Sequence, residues 1–436
     1  MSMVSNSIGN YYLQYVEIVF HNVLGNDLFQ VNVSASMKPS YQTNKGKQEF
    51  YVRTGNNSGP SRSVRPPSTS GQDRAKTYFF SATYIIHDHR QYLRNAMTDE
   101  VVKLSHGAGG STEDTLIHEL FLKLFERRQA KDGIALDALD DGASIRIGEY
   151  EVVLSIDGHT VDPIFFPGGD LGKLAVCGAV NDTAVMGAEP VAILDSIIVE
   201  EGYPMEDLKR IVKSMNEAAK EAGVAIIAGD FKVMPKGSLD GMVISTTGVG
   251  VLRGKRVLDS QARPGDKVIV SGTVGDHGIS LMSKREGLSF QTELVSDCAP
   301  IYETVKAGMD AGEVLTMKDC TRGGLAMALN EVAEKSGVSI WLDSDRIPVK
   351  TSVRAASDML GLDPLEVTCE GVAIMIVEPG KAEEILAAVK ATKYGKAAEI
   401  IGEVREDRKG MVLLRTVVGG TRILRKPIGE PIPRVC

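Results

Sequence analysis

Apolar and polar positions follow one regime before about residue 96 and another after it. In the later stretch, Leu116, Ile117, Leu120, Phe121, Leu124 and Phe125 recur at helical spacing behind a glycine-rich segment, His106–Gly110. Ser111 is placed to cap that helix, with Asp114 three positions on to close a capping box. Pro204 to Ala222 repeats the pattern, with Leu208, Ile211, Val212, Met215 and Ala219 inward, Pro at the start and Gly223 beyond the end. A turn at Pro167–Asp170 opens a helix that carries Asn181 and Asp182 and stops near Gly187. Asp319 to Gly324 opens another, with Leu325, Leu329, Val332 and Ala333 inside.

Between the helices lie runs of strand length. They are Val152–Ile156, residues 192–199, Val224–Ala228, Met242–Leu252, Lys267–Ser271, Val338–Leu342 and Val372–Val377. In the earlier stretch Tyr15–Phe20, Phe29–Ser34 and Phe50–Thr54 read as short strands, while Asn56 to Arg74 has no periodicity and reads as loop or disorder. Mixed strands and helices in two successive halves predict two α/β or α+β domains, 97–262 and 263–415, joined near Ala262–Gly265, with a tail over 416–436.

Charge sharpens the boundary. Residues 1–96 hold ten Lys/Arg against five Asp/Glu, a net of +5, so the remainder carries −13 of the total −8. All five cysteines lie in that remainder. Residues 1–96 are therefore expected to be an upstream extension, a partial fusion or a mis-called start, outside the catalytic unit. The acidic balance, with a pI near 5.6, argues against a general nucleic-acid partner. No apolar run reaches the length of a membrane span and no signal-peptide pattern opens the chain. The cysteines are odd in number, widely spaced and without a CxxC. That indicates neither a zinc site nor a disulfide framework, and points to a reducing cytoplasm.

Four acidic positions sit at element ends beside glycine: Asp141, Asp157, Asp182 and Asp230. Each alone is more often a turn residue. Together, without His or Cys partners, they suit Mg²⁺ holding a polyphosphate. Gly107, Gly109 and Gly110, at a helix N-terminus, suit phosphate, although there is neither a Walker A loop nor a GxGxxG after a strand. Val224–Ala228 is expected to be a buried strand that delivers Asp230 and Lys232 into a loop. Lys232 is either a solvated lysine or a group that neutralises developing charge. Glu370 is a turn carboxylate or a general base. Arg322 is a helix-end side chain or an anion clamp. His159 and His277 lie in glycine-containing turns, and Cys177 reads as core. The chain ends on Cys436 behind Pro427, Pro431 and Pro433, which make a stiff extended arm. Its thiol is either incidental to a frayed end or a carrier of a covalent group.

The motifs decide between these readings. His106-Gly107-Ala108-Gly109-Gly110, Leu136 to Gly142, Asp157-Gly158-His159-Thr160-Val161 and Phe166 to Asp170 occur in order. Val180 to Ala188, Gly229-Asp230-Phe231-Lys232-Val233, Ser271 to Gly278, Thr321-Arg322-Gly323-Gly324-Leu325 and a terminal Pro433-Arg434-Val435-Cys436 follow. Over residues 97–436 the chain resembles the HypE carbamoyl dehydratases of hydrogenase maturation, in the PurM/aminoimidazole-ribonucleotide-synthetase superfamily. The resemblance implies a PurM-like two-domain fold whose N-terminal domain closes a β-barrel with that of a second subunit, a homodimer with ATP beside the barrel. The second domain would be α/β and the tail mobile. It implies that a HypF-type carbamoyltransferase loads Cys436, that ATP-driven dehydration makes a thiocyanate, and that the cyano group passes to a HypC–HypD type scaffold for the iron of a NiFe hydrogenase. It implies catalytic roles for Cys436, Lys232 and Glu370. ATP would lie on Gly107, Gly109, Gly110, Asp141, Asp157, Asp182, Asp230 and Arg322, with Mg²⁺ on Asp157, Asp182 and Asp230. Phe231, Cys320 and Cys369 depart from the family's pattern. A selenophosphate synthetase or thiamine-phosphate kinase, from the same superfamily, would not use a terminal cysteine. A non-catalytic nucleotide-binding scaffold would not need Lys232 and Glu370.

Overall fold

A computed structural model describes residues 11–22, 29–39, 77–82, 101–107, 109–287, 294–428 and 434–436. The chain forms two compact units, Met1–Tyr92 and Leu93–Cys436. The first contains an antiparallel sheet of β1 (Tyr11–Asn22), β2 (Phe29–Pro39) and β3 (Thr77–Ala82), in that order. β1 and β2 extend the two short strands expected there, and β3 has no counterpart in the sequence reading. The segment Phe50–Thr54, the stretch Asn56–Arg74 and prolines 431 and 433 lie outside the described residues.

In the second unit, α1 (Ser111–Leu116) widens through a π-turn, Ile117–Phe121, into Leu122–Leu124. Its cap differs from the expected box. Gly110 is the N-cap residue, no side chain caps the helix, and Ser111 lies inside it. Asp114 instead pairs with Lys426 at 2.9 Å. Among the described residues the end of the apolar stripe is left uncovered: Phe121, Leu124 and Phe125 are 41%, 68% and 51% exposed.

The first domain is a five-stranded sheet ordered β4-β5-β8-β6-β7. The strands are β4 (Ala143–Ile147), β5 (Tyr150–His159), β6 (Ala188–Glu200), β7 (Ala225–Met234) and β8 (Met242–Leu252). One face packs on α2 (Leu171–Val185), which is buried almost all round, because α3 (Met205–Ala222) covers its other side. Glycine permits that close packing: a Cβ on Gly172 would sit 2.4 Å from the Ile211 carbonyl oxygen. Helix α3 is amphipathic as expected and ends on Gly223 at φ 71°, but Val212 points to solvent. The sheet's other face is open. Ile156 is 73% exposed, and every residue of β7 is exposed. The expected buried strand is thus a longer, exposed edge strand that contains Asp230 and Lys232, and Asp157 likewise lies inside β5 rather than after it.

The second domain is a seven-stranded mixed sheet with order β10-β12-β9-β13-β11-β14-β15. It comprises β9 (Lys267–Val270), β10 (Val314–Asp319), β11 (Ser339–Asp343), β12 (Ala373–Val377), β13 (Glu399–Arg405), β14 (Met411–Arg415) and β15 (Thr421–Leu424). Strand β12 is apolar along its length and β9 is so after Lys267, as central strands covered on both faces must be. Among the flanking helices, α4 (Asp276–Arg285), α5 (Tyr302–Ala311) and α6 (Gly324–Ser336) position the site. The sequence-expected core of α6 is fully buried. No helix among the described residues is long and apolar enough to cross a membrane.

Candidate functional site

Carboxylates converge where α2, β5 and the end of β10 meet. Successive rungs fix which residues share a face. Asp157 pairs with Thr246, Thr246 with Asp195 and Asp195 with Gly229, so all four face α2. Asp182, from α2, hydrogen-bonds with Asp157 on one side and Asp319 on the other. Burial, then the charges of Asp157 and Asp319, push the Asp182 carboxyl well above the usual range. Burial likewise raises Asp319 to about 6. Sequence reasoning singled out Asp157 and Asp182 but missed Asp319. The signal was a carboxylate ending a strand just before Thr321-Arg322-Gly323-Gly324.

Asp141 lies beside this group and pairs with Lys318. Lys318 also meets Asp259 at 3.3 Å and Glu331 at 3.2 Å. Burial opposes its charge, but those carboxylates outweigh burial and hold the proton on. Lys335 closes the network on Asp259 at 2.9 Å. Such a group is costly to bury unless its members satisfy one another. Asp141 Oδ2 and Asp319 Oδ2 nevertheless have no hydrogen-bond partner. Buried, unpartnered carboxylate oxygens mark where a proton or a cation completes a site. Among the described residues, no three acidic, His or Cys side chains already close around one point as metal ligands do.

Asp230 and Lys232 are not brought to this cluster. They lie on β7 one rung from Gly229, hence on the open face, as an exposed ion pair at 2.8 Å. The hydrogen bond and charge of Lys232 lower the Asp230 pKa.

The glycine segment lies against Arg322. Gly109, at φ 66°, sits so close that a Cβ there would fall 2.4 Å from the Arg322 Cβ. Its first N–H groups are not open to an anion in this conformation. Gly109 N–H donates to Glu113 Oε2 at 2.5 Å, Ser111 N–H to the Pro427 carbonyl at 3.1 Å and Thr112 N–H to that of Ile428 at 3.4 Å. Gly107 lies on the turn before, with open space where a Cβ would stand. Arg322 pairs with Glu113 at 3.8 Å. Its charge is held chiefly by Cys436, then by Glu113, Asp157 and Glu370, against the cost of burial. Arg322 is thus the point where the tail tip, the carboxylates and Glu370 meet.

Glu370 is 3% exposed and its Oε1 has no partner. Burial, followed by Cys298, Asp319 and Asp297, raises its pKa well above the ordinary value, with Arg322 opposing. Its backbone is pinned. Asp297 Oδ2 accepts from the N–H of Glu370 at 3.2 Å and of Gly371 at 3.3 Å, and Asn181 Nδ2 donates to the Glu370 carbonyl at 3.2 Å. Burial raises Asp297 to about 7. A pinned, desolvated carboxylate with a free oxygen is what a general base requires.

The tail tip is docked. Val435 is buried, and Cys436 packs beside the same apolar cluster, with Thr160 Oγ1 donating to its terminal oxygen at 3.4 Å. Cys177 is core, as expected, and Cys298 and Cys320 are also buried. Cys369 Sγ accepts the Gly275 N–H at 3.2 Å, so that thiol ties its loop to the turn that opens α4. Phe231 is half-exposed on β7, away from the cluster. His159 bonds Thr246 at 3.0 Å inside the sheet–helix layer.

Comparison with known proteins follows this architecture. The AIR synthase related protein N-terminal domain matches residues 139–252, and the AIR synthase related protein C-terminal domain matches 263–414. The carbamoyl dehydratase HypE of Cupriavidus necator is 45% identical over 340 residues, 77% of this chain and 95% of that protein. A HypE–HypF complex superposes with TM-score 0.67 at 45% identity, covering 72% of this chain and 99% of that one. A hydrogenase maturation protein HypE bound to ATP superposes with TM-score 0.64 at 40% identity, covering 77% and 100%.

Proposed function

The chain belongs to the HypE family of carbamoyl dehydratases, and from that premise we propose that Cys436 carries a carbamoyl group which ATP-driven dehydration turns into a thiocyanate. The observation that carries this reading is the docked Cys436, whose charge acts on Arg322, together with a buried Glu370 carboxylate that acts on the same arginine and has an unpartnered Oε1.

The chemistry needs three things. The amide oxygen of a thiocarbamate is a poor leaving group, so it must first attack the γ-phosphorus of ATP, releasing ADP. Two N–H protons must then be lost as phosphate departs, leaving a C≡N triple bond on sulfur. The sum is thiocarbamate plus ATP giving thiocyanate, ADP and phosphate. Arg322 faces the charge that develops on the activated oxygen. Glu370 takes an N–H proton: burial makes it a stronger base than a solvated carboxylate and leaves one oxygen unengaged.

The donor set fits Mg²⁺ in kind, because unpartnered hard oxygens lie on Asp141 and Asp319 beside the Asp157–Asp182 pair. Mg²⁺ there would neutralise phosphate charge during phosphoryl transfer. We assign this role to Asp157, Asp182, Asp319 and Asp141. Asp230 and Lys232 belong to the open face of the sheet. A second copy of the chain covering that face would enclose them, and the apolar exposure of Ile156 on that face supports such a homodimer. A HypF-type carbamoyltransferase as donor and a HypC–HypD type acceptor of the cyano group complete the sequence, with cyanide delivered to the iron of a NiFe hydrogenase.

Glu370→Gln tests the assignment. The variant should accept carbamoylation on Cys436 and stall before loss of water, slowed by about 10²-fold or more. Dehydration at the wild-type rate would remove Glu370 from the role.

A further inference from the structure

Peptide groups of the docked tail make several of the contacts that hold it. The Arg434 carbonyl accepts from the Asp162 N–H at 3.2 Å and from Arg285 Nη2 at 2.5 Å. The Val435 carbonyl lies 2.7 Å from Nε2 of His277, whose ring is fully buried at the start of α4. Arg434 itself sits at φ 56°, a strained value for a residue with a side chain. The strain turns the tail so that Val435 drops into the core and Cys436 reaches the site. The docked state is therefore a constrained one that specific contacts must hold.

We propose that His277 is a positioning residue that latches the carrier tail, its Nε2–H holding the Val435 carbonyl so that Cys436 stays at the site. The proposal rests on the carrier reading given above.

The proton inventory supports it. A carbonyl oxygen can only accept, so Nε2 must carry the hydrogen. Burial pushes the His277 pKa down to about 4, so the ring is neutral near pH 7 and Nδ1 bears a lone pair. Ser296 Oγ lies 2.7 Å from Nδ1 and already accepts the Cys298 N–H at 3.0 Å. Its own hydroxyl hydrogen is thus directed to Nδ1. That fixes the tautomer and aims Nε2–H at the tail, while Phe166 meets the ring edge-on at 5.2 Å and holds its plane. Arg285 also donates to the Asp162 carbonyl, so it braces that loop whether or not the tail is present. The recorded acceptor of His277 Nε2–H is the tail itself. The contact is to backbone, so it holds whatever group Cys436 carries.

Alkylation of Cys436 in the reduced full-length protein reads the latch directly, followed by mass analysis of the C-terminal peptide with iodoacetamide as probe. The other four cysteines are buried. His277→Phe keeps ring volume and removes the donor, and should alkylate faster by about tenfold or more, since a buried carbonyl loses its partner. His277→Gln restores an N–H donor and should return the rate towards wild type. In the carbamoylated protein, ATP-dependent loss of water should fall in kcat by a similar factor while the KM for ATP stays put. The proposal is overturned if the Phe variant, with a normal melting curve, alkylates at the wild-type rate. It is also overturned if Gln and Phe accelerate alkylation equally, since the ring would then act by packing alone. Should the Phe variant not fold, Ser296→Ala takes its place. That change frees the tautomer and should speed alkylation severalfold, and a wild-type rate would overturn the latch. If wild-type carbamoylated protein never loses water, the carrier reading fails, while the alkylation rates still decide the latch.

Discussion

Replacing Val435 with alanine should loosen the tail by an amount the structure sets. Val435 is 2% exposed and packs within an apolar cluster drawn from both domains, beside the docked Cys436. Truncation to alanine removes about two methylene equivalents of buried surface, roughly 0.8 kcal/mol each. A residual cavity adds to the cost, so the total is about 1.5–3 kcal/mol. At about 1.4 kcal/mol per factor of ten, the docked-to-free ratio falls roughly ten- to hundredfold. The backbone contacts to Asp162, Arg285 and His277 are untouched. The assay is protection of Cys436 from a small thiol reagent when opening is fast relative to modification. The protection factor then equals the docking equilibrium constant. It should drop by the stated factor with the thermal melt unchanged. An unaltered protection factor would refute the claim that burial of Val435 holds the carrier in place.

Other outcomes follow from the buried acids and the open face. Glu370 must be ionised to act as a base and its pKa is raised, so the dehydration rate should still climb with pH above the range in which a solvated glutamate titrates; a rate that falls over that range would contradict the assignment. Asp297 is raised from 3.8 to about 7, so the folded state holds its proton more tightly than the unfolded chain does. Its effect is therefore to lower stability as pH rises from about 4 to about 7, at about 1.4 kcal/mol per unit within that window. Asp297→Asn keeps an acceptor for the two N–H groups and should melt higher than wild type near pH 8 but not near pH 5, as followed by calorimetry; an equal difference at both would sink the argument. Lys232→Ala should melt with the wild type, since the side chain is solvated, yet lose dehydration activity in the assembled dimer. Full activity would confine Lys232 to the surface role it has in a single chain.

Much of the second domain was legible because its segments obey local rules. The stripe of α6 and the apolar runs of β9 and β12 declare buried elements whatever their neighbours. The first domain was less so. Residues Val224–Ala228 read as buried because a run of Ile and Ala looks alike in a covered strand and in a bare edge strand. Only the sheet order, with β7 outermost, decides between them. Val212 and the stripe of α1 misled for the same reason: apolar spacing states that a surface wants cover, not that this chain supplies it. At the site, Asp157 was visible beside its glycine and Asp182 in the Asn181-Asp182 pair of its helix. Asp319 was not, because its importance comes from a contact across the two domains. The cap at Ser111 failed because carbonyls of Pro427 and Ile428, more than three hundred residues away in sequence, take the N–H groups that a local reading left free.

The central claim is that Cys436 carries the group on which the chemistry occurs. The decisive measurement is the mass of the C-terminal peptide after the protein is incubated with a carbamoyltransferase, carbamoyl phosphate and ATP. The account predicts a carbamoyl adduct on Cys436 that then loses one water only when ATP is present. Absence of any adduct on Cys436, with the transferase shown to be active, would contradict it.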